Sequence, residues 1–172
     1  MTRCRRQFLL GAGALAALGA SGGALPAARA LAQGANWATA PFATGDGLAT
    51  NVSAFFGKPI VLNFWATWCI PCRAEMPSLD ALQASMGDAA HILPVSVDEG
   101  GMAVIDQFYE QYQLTHLGKY HDHVGALAQA FAVRSYPTSY LIDSRGVIAG
   151  AYPQAFDWNS TVARHAVAAL AR

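Results

Sequence analysis

At 172 residues the chain is long enough for one domain with a substantial core. It is 53% hydrophobic and formally neutral, which fits a globular protein and speaks against a nucleic-acid binder, whose surface would carry a basic excess. Part of the hydrophobicity sits in the first thirty residues. There, Arg3, Arg5 and Arg6 precede a Gly- and Ala-rich apolar stretch over 8–25, and Ala28-Arg29-Ala30 reads as a cleavage signal.

The N-terminus thus has the three-part layout of an export signal. Arg5-Arg6-Gln7-Phe8-Leu9 resembles the twin-arginine signal, although Cys4 stands where Ser or Thr is usual and Leu10 where Lys is common. General secretion is the alternative route. An uncleaved membrane anchor is the competing reading, and the many Gly and Ala residues weaken it. The expected organisation is a signal over 1–30, a flexible lead-in over 31–41 and one domain over 42–172, with the product in the periplasm. Cleavage after Ala30 leaves seven basic against eleven acidic residues, a net charge of about −4 that does not point to anionic partners. Cys4 departs with the signal, so Cys69 and Cys72 are the mature thiols.

In chain order, 42–52 reads as a weak hairpin turning at Asp46-Gly47. Ser53 is a candidate cap for a helical turn over 54–57. Lys58-Pro59 then breaks the chain before the apolar run 60–65, the pattern of a strand buried on both faces. Cys69-Ile70-Pro71-Cys72 follows, and Met76, Leu79 and Leu82 continue at helical spacing. This helix is expected to run to about Ser85, kinked by Pro77 and ended by Gly87. Residues 91–97 read as a second strand, in which Pro94 argues for an edge position or a bulge.

Residues 98–101 form a turn, and 102–112 a helix with Val104, Ile105, Phe108 and Tyr112 on its apolar face. A short helix over 124–131 could start at Asp122 or His123. Residues 139–142 and 147–151 are expected to pair as a hairpin across Ser144-Arg145-Gly146. Asp157 would cap a last helix over 158–171, packed through Val162, Val167 and Leu170. The whole is α/β, a mixed sheet with helices on both faces.

A strand, a Cys-x-x-Cys and then a helix set both sulfurs at a helix N-terminus. The unpaired N–H groups and positive dipole end there favour a thiolate. Two residues between the cysteines also let the sulfurs join in a small ring and release it. A single close pair adds little to the stability of a domain this size, so the pattern points to redox chemistry rather than to a structural staple.

From Asn63-Phe64-Trp65-Ala66-Thr67-Trp68-Cys69-Ile70-Pro71-Cys72, through Glu75-Met76-Pro77 and Val95-Ser96-Val97-Asp98, to Pro137-Thr138 before Leu141-Ile142-Asp143, the chain resembles the thioredoxin superfamily. More narrowly it is similar to its exported TlpA/ResA-type thiol–disulfide oxidoreductases. The resemblance implies a thioredoxin fold with an N-terminal β-hairpin extension. It implies Cys69 as the attacking thiolate, Cys72 as the resolving thiol, and a cis Pro137 beside them. Tyr136 would offer backbone groups to an extended substrate, with Trp68 and Trp65 walling the site, core packing being the competing reading for both tryptophans, and Ile70 and Pro71 between the sulfurs. Asn63 replaces the buried Asp of cytoplasmic thioredoxins. Glu75, one helical turn from Cys72, is placed to take its proton, the competing reading being a plain surface carboxylate.

The resemblance further implies a reductant of Cys pairs in apocytochrome c or in copper-handling proteins, recharged by a membrane electron donor. It implies a monomer with no cofactor and no nucleic-acid partner. The alternatives are a copper(I) chaperone using the same two cysteines, and a disulfide-donating oxidant. A structural zinc site needs four ligands, and two mature thiols do not supply them. A peroxidase would need an upstream Pro-x-x-x-Thr-x-x-Cys arrangement, which the sequence lacks. His121-Asp122-His123 reads as a solvated loop with a helix cap.

Overall fold

The computed structural model describes residues 36–171. The signal expected over 1–30 and the lead-in as far as residue 35 lie outside the described residues. At the centre is β3 (Ile60–Trp65), buried along its whole length, as a strand covered on both faces must be. It pairs in parallel with β4 (His91–Ser96) and antiparallel with β6 (Thr138–Ile142). Outside these lie β5 (Tyr120–His121), β1 (Phe42–Thr44) and β2 (Ala49–Thr50) on one side, and β7 (Ile148–Tyr152) on the other. The seven strands run β2-β1-β5-β4-β3-β6-β7, a mixed sheet.

Alternation along β3 divides the core in two. Val61 and Trp65 pack with α1 (Ile70–Met86), α2 (Gly101–Tyr112) and α4 (Thr161–Ala168), through Met76, Leu79, Leu82, Ile105, Phe108 and Val167. Ile60, Leu62 and Phe64 point the other way, towards Trp37, Phe42 and the short α3 (Ala126–Ala130) with its neighbour Phe131. Helices therefore flank both faces, as the α/β pattern requires. Helix α1 starts at Cys69, with Pro71 in its first turn, where a missing N–H costs nothing. It ends at Gly87, whose φ of 51° suits a residue without a Cβ. The helix continues past Pro77 to Met86 as one element.

Several expectations need correction. Pro94 is at neither an edge nor a bulge: β4 is an inner strand in unbroken register with β3. His91 and Val97 send their N–H groups to the β3 side, bonding Pro59 and Trp65, so the alternating Pro94 faces the β5 side. There β5 pairs only with Val95 and Ser96, and no ladder bond is lost. The lead-in is not loose throughout, because Trp37 is buried and its ring lies 5.1 Å from that of Phe131. Ser53 sits inside the turn Val52–Phe55, whose capping position belongs to Asn51.

The last helix starts later than expected. Its cap is Ser160, whose Oγ accepts from the Ala163 N–H at 3.2 Å, while Asp157 accepts from the Asn159 N–H in the turn before it. Val162 points outward, and the buried residues of α4 are Ala163 and Val167. His121 is no solvated loop residue: it lies buried in β5, and its Nε2–H donates to the Asp98 carbonyl at 2.8 Å. Helix α3 begins at Ala126 behind Gly125, later than expected, and the Asp122 carboxylate accepts from its Leu127 and Ala128 N–H groups. No helix among the described residues is long and apolar enough to cross a membrane.

Candidate active site

Where β3 ends, Ala66, Thr67 and Trp68 carry the chain to Cys69, with the Cys69 N–H closing a turn onto the Ala66 carbonyl. The loop is braced from the neighbouring strand. Thr67 donates its backbone N–H to Asp98 Oδ2 at 2.9 Å and its hydroxyl to Oδ1 at 2.7 Å, and Ser96 Oγ donates to Oδ2 at 2.7 Å. Asp98 is 3% exposed. A buried carboxylate satisfied by three donors is a rigid fastening, and it fixes the approach to the first sulfur.

Cys69 and Cys72 are joined in a disulfide with their Cα atoms 5.2 Å apart. The Cys69 sulfur caps α1, receiving the Cys72 N–H at 3.3 Å. The two sulfurs are not equivalent. Both are buried, Cys69 at 6% exposed and Cys72 at 1%, but Cys69 borders on exposed Trp68 and Ile70 whereas Cys72 sits one turn into α1. Across the sheet, Thr138 pairs with Phe64, so Pro137 enters β6 at the point where β3 gives way to the cysteine loop. The Tyr136–Pro137 peptide is cis. Tyr136 meets Trp68 edge to face, ring centroids 5.9 Å apart.

The fold thus gathers Cys69, Cys72, Trp68, Ile70, Pro71, Tyr136 and Pro137 at one end of the sheet. Trp65 is not a wall of this site; it is fully buried in the core, 4.9 Å from the Phe108 ring. A groove of about 460 Å³ opens beside Trp68, with Val97, Gly100 and Val104 along it and Glu99 at its side. Asn63 is buried and donates from Nδ2 to Ser139 Oγ at 2.8 Å.

Glu75 is not a surface carboxylate. It is 4% exposed, its Oε1 accepts the indole N–H of Trp158, and its Oε2 has no hydrogen-bond partner. Burial pushes its pKa up from 4.5 to about 7, against the opposing pull of Trp158, the Phe156 backbone and the Asn63 side chain. Sequence reasoning missed Trp158 altogether, because nothing in spacing connects residues 83 apart. It also missed the bracing role of Asp98. An acidic residue just past a strand that ends at the site was the available signal. His121 and His123 do come together, ring centroids 5.5 Å apart, but no group of three or more metal-ligating side chains occurs among the described residues.

Comparison with known proteins agrees with this geometry. The "Thiol-disulfide oxidoreductase ResA" of Oceanobacillus iheyensis is 39% identical over 60% of this chain and 53% of its own. "Thioredoxin-like protein YneN" of Bacillus subtilis is 40% identical over 54% of each chain. The chain thus spans about half the length of the curated relatives it matches. Among solved structures, the Etrx1 lipoprotein thioredoxin of Streptococcus pneumoniae superposes with a TM-score of 0.61 at 28% identity, covering 71% of this chain and 93% of that one. MTB dsbF, at 23% identity, shares the fold with a TM-score of 0.69 over 78% of this chain and 96% of its own. The strand–Cys-x-x-Cys–helix unit and the Pro137 edge both fall within residues 33–151, which match the model of the AhpC/TSA family, and the chain belongs to that family.

Proposed function

We propose that this protein is an exported thiol–disulfide oxidoreductase that reduces disulfides in client proteins. The observation that carries the reading is the Cys69–Cys72 disulfide at the start of α1, with Cys69 capping the helix beside exposed Trp68 and Ile70 and Cys72 one turn in. In the reduced protein the α1 N-terminus and the Cys72 N–H favour negative charge on Cys69. That thiolate attacks one sulfur of a client disulfide, forming a mixed disulfide and expelling the other client sulfur as a thiolate. Cys72 then gives its proton to Glu75 and attacks Cys69. The Cys69–Cys72 disulfide forms, the second client thiolate leaves, and two electrons have passed to the client.

The extended client segment lies between the Tyr136–Pro137 edge and the groove beside Trp68, the residue before Cys69, whose ring meets Tyr136. Kinship with the exported TlpA/ResA-type proteins supports Cys pairs of apocytochrome c or of copper-handling proteins as clients. The export-like N-terminus supports action outside the cytoplasm. A reductant there has to be recharged, so a membrane electron donor completes the cycle.

The test is the equilibrium reduction potential of the Cys69/Cys72 pair, read by tryptophan fluorescence in thiol buffers. A potential at or below that of thioredoxin, about −270 mV, supports the reductant, and one near −120 mV makes the protein a disulfide donor. Cys72→Ser should trap the mixed disulfide with an oxidised client, and Cys69→Ser should form none.

A further inference from the structure

Trp158 reaches the redox helix through two donors. Its backbone N–H donates to Ser78 Oγ at 3.1 Å, and its indole N–H donates to Glu75 Oε1. Ser78 lies three residues after Glu75 on α1, and its hydroxyl in turn donates to the Glu75 carbonyl at 2.8 Å. The indole is 1% exposed and is wedged by Phe156 and Tyr152, with ring centroids at 5.1 and 5.6 Å. Its orientation towards Glu75 is therefore set by the Ser78 hydroxyl of α1 and by packing. The other carboxylate oxygen, Oε2, is buried without a partner. A pocket of about 320 Å³ between α1 and residues 155–157 has Glu75 and Ser78 in its lining.

We propose that Trp158 is a positioning residue for the proton step, its indole N–H holding Oε1 of Glu75 so that Oε2 receives the proton of Cys72. This rests on the reading of Glu75 as the proton acceptor for Cys72. The step is a simple transfer: Cys72 Sγ–H and the Glu75 carboxylate become a thiolate and a neutral carboxylic acid, and the acid later releases its proton to water. An unheld carboxylate could rotate either oxygen inward or turn towards solvent. The indole removes that freedom before the reaction, and pre-organisation of this kind is what a positioning residue supplies. A donor to the carboxylate also favours its charged form and opposes the effect of burial.

The experiment follows the Glu75 side-chain carboxyl carbon and the Trp158 indole N–H by NMR against pH in the reduced protein. In the unaltered chain the indole resonance should titrate with the same midpoint as the carboxyl carbon. Trp158→Phe, which keeps a ring in the buried slot, should raise that midpoint by about one pH unit, a tenfold weaker acid. It should also move the pH profile of mixed-disulfide resolution by the same amount. An indole resonance that stays flat through the Glu75 titration overturns the proposal without any variant. So does a carboxyl midpoint unmoved in Trp158→Phe, and if Glu75→Gln still alters the resolution profile, Glu75 keeps its role and Trp158 loses its own. If Glu75→Gln leaves that profile as it was, the proton reading itself fails and the proposal falls with it.

Discussion

The two faces of β3 are built to different standards. On the Ile60, Leu62 and Phe64 side, rings interlock: Phe131 lies 5.1 Å from Trp37, 5.5 Å from Phe64 and 4.6 Å from Tyr140. The Tyr140 hydroxyl there donates to the Phe131 carbonyl. The α1 side, by contrast, holds every buried side-chain N or O atom without a partner among the described residues: Asn63 Oδ1, Trp65 Nε1 and Glu75 Oε2. Each such atom costs about 1–3 kcal/mol. The difference teaches where the fold tolerates instability. Unsatisfied groups gather around the helix that carries the cysteines, while the opposite face supplies cohesion.

That contrast is most severely tested by Phe131→Ala. Emptying a fully buried ring position on the cohesive face should destabilise the protein by about 3–5 kcal/mol, read by chemical denaturation. The reduction potential of the Cys69/Cys72 pair should stay where it was. A shift in the potential would mean that the two faces are not separate in function.

A smaller effect is expected from the pH dependence of the α1 side. The Glu75 carboxyl has a folded pKa of about 7 against an ordinary value of 4.5, so the folded state binds its proton more tightly than the unfolded chain does. Its contribution is fully present below about pH 4.5 and is lost as pH rises towards 7, a loss of about 3 kcal/mol at most. The protein should therefore be less stable at pH 8 than at pH 5, and Glu75→Gln should flatten that slope. Equal slopes in the two proteins would show that Glu75 is ionised throughout, with water on Oε2.

How much of this was legible beforehand follows from the range of the interactions. The run Ile60–Trp65, the cysteines and the Gly87 stop are local patterns, and each appears where its chemistry places it. Pro94 misleads because its tolerance depends on β5 being two residues long, a property of another part of the chain. Trp37 hides in an Ala-rich lead-in, since one aromatic residue has no periodicity to announce burial. Val162 is expected to pack with Val167, but residues five apart lie on different faces of a helix, and Val162 is exposed. Ala163 and Val167, four residues apart, share the face that meets the core. At the site, Cys69, Cys72 and Pro137 belong to motifs, but the partner of Glu75 comes from residue 158 and only folding brings it there.

The finest distinction between the faces concerns Trp65. Its indole N–H is buried with no acceptor, although the ring itself packs well against Phe108 and Tyr109. Trp65→Phe deletes that unsatisfied donor, a gain of about 1–3 kcal/mol, and leaves a gap from the smaller ring that costs a similar amount. The two nearly cancel, so denaturation should show a net change within about 1 kcal/mol. A loss as large as that of Phe131→Ala would mean that a buried water already satisfies the N–H. In that case the α1 side is hydrated rather than unsatisfied, and the proton leaving Cys72 would meet water beneath the helix as well as the Glu75 carboxylate.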